Sequence, residues 1–119
     1  MTEIRNAIIK STSLGIEDHG IMSAWVHLDY GSGGQGFGGY TLDGQPEKRE
    51  PGYGRTPHAG CGMFISKVLE VVGVDSWEKL PGKSVRVRAD SAKVEAIGHF
   101  LKDEWFVPEE EFAKLRGKI

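Results

Sequence analysis

Asp29-Tyr30-Gly31-Ser32-Gly33-Gly34-Gln35-Gly36-Phe37-Gly38-Gly39-Tyr40 is the stretch on which the fold turns. It follows an alternating run, Ile21 to Leu28, with strand character, and leads into Tyr40-Thr41-Leu42, which has strand character too. A glycine-saturated connection leaves backbone N–H groups free to approach a ligand closely, and glycine accepts the positive φ angles that such loops need. Gly31, Gly33 and Gly36 satisfy G-x-G-x-x-G, as do Gly34, Gly36 and Gly39. The dinucleotide fingerprint needs a helix directly afterwards, whose N-terminus holds the pyrophosphate. Here strand-like sequence follows instead, which rejects the dinucleotide fold. Two readings stay open: a ligand-contacting loop, or a twisted or bulged hairpin whose glycines allow close backbone packing.

The flanking chain supplies the rest of a sheet. Ile4 to Ser13 suits a strand, with Ile8 and Ile9 giving core on whichever face is buried. Leu14 to Gly20 is turn chemistry that makes a hairpin with the next run. In that run Met22, Ala24, Val26 and Leu28 share the core face, and Ser23, Trp25, His27 and Asp29 share the other. Asp43 to Pro57 carries three prolines, three glycines and mixed charge, and reads as a long loop. Arg55 near its end is either a phosphate clamp or a solvated loop arginine.

One long helix is expected from about Gly60 to Val72, with Met63, Phe64, Ile65, Val68, Leu69, Val71 and Val72 in its apolar stripe and Gly73 ending it. Asp75 and Glu78 have capping-box spacing ahead of Pro81-Gly82. Ser84 to Ala89 is a strand with Val85, Val87 and Ala89 inward and Arg86 and Arg88 outward. Lys93 to Leu101 returns antiparallel, with Val94, Ala96, Gly98 and Phe100 on one face and Glu95 placed to neutralise either arginine. Trp105 and Phe106 either anchor the tail or stack on a base. Pro108 then opens a short helix, Glu109 to Arg116. The expected fold is α+β: one domain over residues 1–119, with an antiparallel sheet of about five strands in the order β-β-β-α-β-β-α, one main helix on a face and a short C-terminal helix.

Composition narrows the function. The net charge of −2 and a pI near 6.1 argue against binding long nucleic acid without sequence preference. One cysteine, Cys61, permits neither an internal disulfide nor a cysteine-rich zinc site. No apolar run reaches membrane-spanning length and the first residues lack a signal-peptide pattern, so a cytoplasmic protein with no membrane contact is expected. His19, His27, His58 and His99 lack metal-ligand spacing, and no cofactor is implied. A Cys61–His58 thiolate pair, or Asp29 with His27 or His99, is the nearest approach to a catalytic set, and nothing supplies a convincing oxyanion hole.

Ser11-Thr12-Ser13-Leu14-Gly15, Asp18-His19-Gly20-Ile21, Leu28-Asp29-Tyr30-Gly31 and Gly34-Gln35-Gly36-Phe37-Gly38-Gly39-Tyr40, with Ala96-Ile97-Gly98-His99-Phe100-Leu101, Asp103 and Trp105-Phe106, resemble a family of small phage proteins. The family that the chain resembles is the first type of Thoeris anti-defence protein, and the likeness covers nearly the whole chain outside Asp43 to Pro57. The resemblance implies a non-enzymatic sponge in the host cytoplasm. It would withhold a cyclic ADP-ribose isomer made by host TIR-domain enzymes, and in some members cyclic di- or trinucleotides. It also implies dimers with a pocket at each subunit boundary, or hexamers built from them. For such a ligand, side-chain chemistry nominates Arg55, Arg86 and Arg88 for the pyrophosphate and Phe37, Tyr40, Trp105 and Phe106 for stacking. Gly34, Gly36 and Gly38 would offer backbone groups, and His99 a further polar contact. The competing classes are a hydrolase of the same signals and a phage interaction protein presenting Trp25 and Phe37 to a partner.

Overall fold

The computed structural model describes residues 2–16, 20–44, 56–57 and 59–115. Its centre is β1 (Glu3–Ile16), which pairs antiparallel with β2 (Met22–Asp29) on one side and β6 (Ser84–Ala89) on the other. β3 (Gly34–Gly38) lies outside β2, while β7 (Val94–His99) and β8 (Trp105–Phe106) extend the far side, giving the order β3-β2-β1-β6-β7-β8. Between β3 and β6 come a small ladder, β4 (Asp43–Gly44) with β5 (Thr56–Pro57), then α1 (Ala59–Val72) and a 3-10 turn at Trp77–Lys79; α2 (Pro108–Leu115) closes the described chain. The fold is α+β as expected, with six strands in the main sheet against about five.

The sheet curls until its two edges meet. Phe37 on β3 lies edge-on to Phe106 on β8 with ring centroids 5.9 Å apart, and Phe64 of α1 packs on both, at 5.7 and 5.5 Å. All three rings are excluded from solvent, at 0 to 2 % exposure. Edge-to-face aromatic pairs at these spacings add to the area they bury. Ala24, Val26 and Leu28 of β2, Val85, Val87 and Ala89 of β6 and Val68 and Val71 of α1 complete the core, so the inward rows expected for these elements hold.

Leu14 to Ile16, expected within the turn, instead continue β1 opposite Ala24, Ser23 and Met22, and three further expectations change. Tyr40–Leu42 is not a strand; the third strand is Gly34–Gly38, inside the glycine stretch itself. Its register sets Gly38 opposite Trp25 and Gly36 opposite His27. A Cβ on Gly36 would come within 2.8 Å of the Trp25 ring, so the indole lies flat on bare backbone. Gly39, with φ of +77°, continues that floor. The close-packing reading therefore explains these glycines. Second, β7 changes phase: Ala89 pairs with Val94 but Arg88 with Ala96, leaving Glu95 as the extra residue of a bulge. Val94 and Ile97 thus both face the core, while Gly98 turns outward under Trp105. Third, Asp75 does not cap the turn after α1. Ser76 holds the N-cap position without a side-chain bond, and the Asp75 carboxylate instead accepts from Lys79 Nζ at 2.7 Å.

Gly36→Val is expected to cost about 1–3 kcal/mol of stability in urea unfolding, through collision with Trp25. The same change made in a Trp25→Ala background is expected to cost clearly less; equal cost in both would place the clash elsewhere.

Candidate functional site

Polar chemistry gathers at one end of the curled sheet. On β1 the inward row is Arg5, Ala7, Ile9, and Arg5 is its last member before solvent, so its side chain enters the mouth of the curl. Its guanidinium lies 3.8 Å from the centroid of the Tyr30 ring, a cation–π stack. The Tyr30 hydroxyl donates to Gln35 Oε1 at 2.5 Å, and Gln35 Nε2 donates to the Asp90 carbonyl at 2.9 Å. Gln35 therefore bridges β3 to the β6–β7 turn. The glycine turn that precedes β3 is held by Asp29, whose Oδ1 accepts from the Gly31 amide at 2.7 Å, and by the Tyr30 amide donating to the Gly33 carbonyl at 2.8 Å. Together Arg5, Tyr30, Ser32, Gly34, Gln35 and Asp90 frame a cleft of about 340 Å³.

Asp90 sits on its turn with Oδ1 accepting from the amides of Ala92 and Lys93 at 2.8 and 2.9 Å. These bonds hold its carboxyl below the usual carboxylate range. Burial pushes the Tyr30 phenol above its ordinary 10.0, against the opposing pull of the Arg5 charge.

The outer face of the sheet carries a second cationic cluster. Trp105 covers Gly98, where a Cβ would come within 2.7 Å of the indole. Arg88 and Arg86 lie above the same ring, at 4.3 and 5.1 Å. Arg86 is already engaged, donating from Nε to the His99 carbonyl at 2.9 Å and from Nη2 to the Lys102 carbonyl at 2.6 Å. His99 Nδ1 accepts from the amides of Leu101 and Lys102 at 3.0 and 2.9 Å. Arg86 and His99 thus lock the β7–β8 loop, and Glu95 forms no ion pair with either arginine among the described residues. Arg88 has no carboxylate partner among them.

The sequence candidates divide accordingly. Gly34 lines the mouth cleft. Arg86, Arg88 and Trp105 come together on the outer face, away from it, whereas His99, opposite the inward Val85 and with its ring beside Gly73 at the end of α1, lies on the helix side. Gly36 floors the Trp25 ring, and Gly38, at φ +124°, lies tight against the Ala24 main chain. Phe37 and Phe106 are core residues without a free ring face, so Phe37 is not available to present to a protein partner either. Tyr40 packs against Phe64 and Phe112 at 6.0 and 5.5 Å, and with Thr41, Glu109 and Phe112 borders a separate cleft of about 540 Å³. Arg55 and His58 lie outside the described residues, and with His58 the proposed partner of Cys61. Among the described residues, no three His, Cys, Asp or Glu side chains gather as a metal site, and no helix is long and apolar enough to cross a membrane.

Sequence reasoning missed Arg5. In Ile4-Arg5-Asn6-Ala7-Ile8-Ile9 both phases carry an isoleucine, and the outward one leaves Ile4 and Ile8 exposed at 59 and 51 %. Only the small inward Ala7 marks the phase that turns Arg5 into the mouth. Comparison with protein-family models, with curated proteins and with solved structures finds no match to this chain.

Two measurements check this geometry. Arg86→Lys replaces a planar fork by a point charge that cannot span both carbonyls. Amide exchange at Leu101 and Lys102 is expected to quicken by roughly tenfold. The raised Tyr30 pKa favours the neutral phenol in the fold. Its contribution to stability is complete below the unfolded value near 10 and is lost as pH climbs through the folded value. An alkaline titration of phenolate absorbance is expected to show a late component shared with Tyr40, whose phenol burial also raises, and Tyr30→Phe is expected to remove only its own part.

Proposed function

We propose that this protein binds a cyclic ADP-ribose-type signal and withholds it intact, as the resemblance to the Thoeris anti-defence proteins implies. The observation that carries the reading is the Arg5 guanidinium on the Tyr30 ring, in a cleft edged by Gly34 and Gln35. A guanidinium held on an aromatic face keeps its N–H edge free for two phosphate oxygens at once. Gly33 on the same rim, where a Cβ would meet nothing within 4 Å, leaves main chain open to a ligand. The stack is pre-formed, so little ordering cost falls on binding.

A cleft of about 340 Å³ sits at the small end of ligand pockets, which run from about 300 to 1,000 Å³. It suits one ribosyl-phosphate portion of the signal. The remainder extends beyond this chain, which accords with the pocket at a subunit boundary that the resemblance implies, in a homodimer or a hexamer of dimers. Arg88 above Trp105 is the second cationic platform, and the cyclic di- or trinucleotides of the wider expectation are its matching ligands.

Purified protein is mixed with cyclic ADP-ribose isomers and cyclic oligonucleotides, stripped of free ligand and heat-denatured, and the released compounds are identified by mass spectrometry. Intact cyclic ADP-ribose isomer is expected, with Arg5→Ala reducing retention by about 10- to 100-fold. A cleaved product would make the protein a hydrolase, and an empty eluate would end the nucleotide reading.

A further inference from the structure

The mouth cleft is not a simple anion site, and its charge balance says what kind of ligand fits. Its cation is Arg5, but Glu3 and Asp90 border it as well. A bare phosphate would meet two carboxylates for one guanidinium, an unfavourable charge balance. Carboxylates accept hydrogen bonds and donate none when ionised. Asp90 is ionised at neutral pH, since its Oδ1 takes two backbone amides. That arrangement commits one oxygen to the turn and leaves Oδ2 as an acceptor without a partner among the described residues. On the opposite wall Gln35 spends its carbonyl on Tyr30 and one amide hydrogen on the Asp90 main chain. The free capacity of the cleft is therefore donors from Arg5 and the second amide hydrogen of Gln35, with carboxylate acceptors from Asp90 and from Glu3, two residues before Arg5 on β1.

We propose that the cleft recognises a ribosyl phosphate with a free vicinal diol, the phosphate on Arg5 and the sugar hydroxyls donating to Asp90 and Glu3. The assignment rests on the nucleotide reading above and deepens it by naming the part of the ligand that is read. A hydroxyl on a carboxylate makes a charge-assisted bond, and a bound ligand that covers the carboxylate but lacks that hydroxyl displaces its water without replacing the bond. Sites built this way reject the deoxy analogue far more strongly than apolar pockets reject a missing methylene.

The test measures affinity of the full chain for cyclic ADP-ribose isomers and for their singly deoxygenated ribose analogues, with the native protein, Asp90→Asn and Arg5→Ala. Asp90→Asn keeps an Oδ1 acceptor for the Ala92 and Lys93 amides, so the turn is retained. Native protein is expected to bind the deoxy analogue of the recognised ribose about 10- to 100-fold more weakly than the parent. Asp90→Asn should weaken the parent and shrink that ratio, and Arg5→Ala should weaken both ligands. Parent binding with no preference over any deoxy analogue would overturn the diol assignment while leaving sequestration standing. Binding insensitive to Arg5→Ala would overturn it by placing the ligand elsewhere. If no isomer binds the native protein, both this assignment and the reading beneath it fall.

Discussion

Closure of the sheet by Phe37, Phe64 and Phe106 is the constraint on which everything else depends. β3 and β8 are the two edges of the sheet, and no ladder joins them. Their rings meet instead, with α1 supplying the third. This seam turns an open sheet into a curl with an inside, an outside and a mouth. Arg5 becomes a binding candidate only because the inward row of β1 runs out at that mouth. Gln35 can reach the Asp90 carbonyl only because the edges have been drawn together.

The outer face obeys a different rule. Trp25 and Trp105 each lie on strand glycine, Gly36 and Gly98, and cover main chain that glycine would leave bare. Two arginines then stack over Trp105, one of them stapling the β7–β8 loop by its carbonyls. The glycine-rich stretch thus serves two ends at once. Its later part floors an indole, and its earlier part forms the turn at the cleft.

What was legible in the sequence follows from how local the cause is. The inward rows of β2 and β6, the stripe of α1 and Pro108 at the head of α2 depend on periodicity or capping within one element, and each reads correctly. The faces of β7 do not, because the bulge at Glu95 is set by its pairing with β6. β3 was hidden because glycine has no β propensity of its own; tryptophan on the neighbouring strand makes the strand worthwhile. Arg5 was hidden for the same kind of reason, since Ile4 and Ile8 mimic a core face that the sheet leaves outside. For the site, the residue types were legible in Gly34, Arg86, Arg88 and Trp105, but not their division between two faces. Phe37 and Phe106 looked like stacking platforms until closure of the sheet consumed them.

The central position of β1 also dictates when the molecule can finish forming. Its pairing with β2 is local, yet its pairing with β6 joins Glu3 to Ala89, and the aromatic seam waits for Phe106. Loop closure of that span costs entropy before any contact returns it. A chain emerging from the ribosome can therefore build the first hairpin early but keeps Phe37 and Phe64 uncovered until Phe106 has emerged to complete the seam.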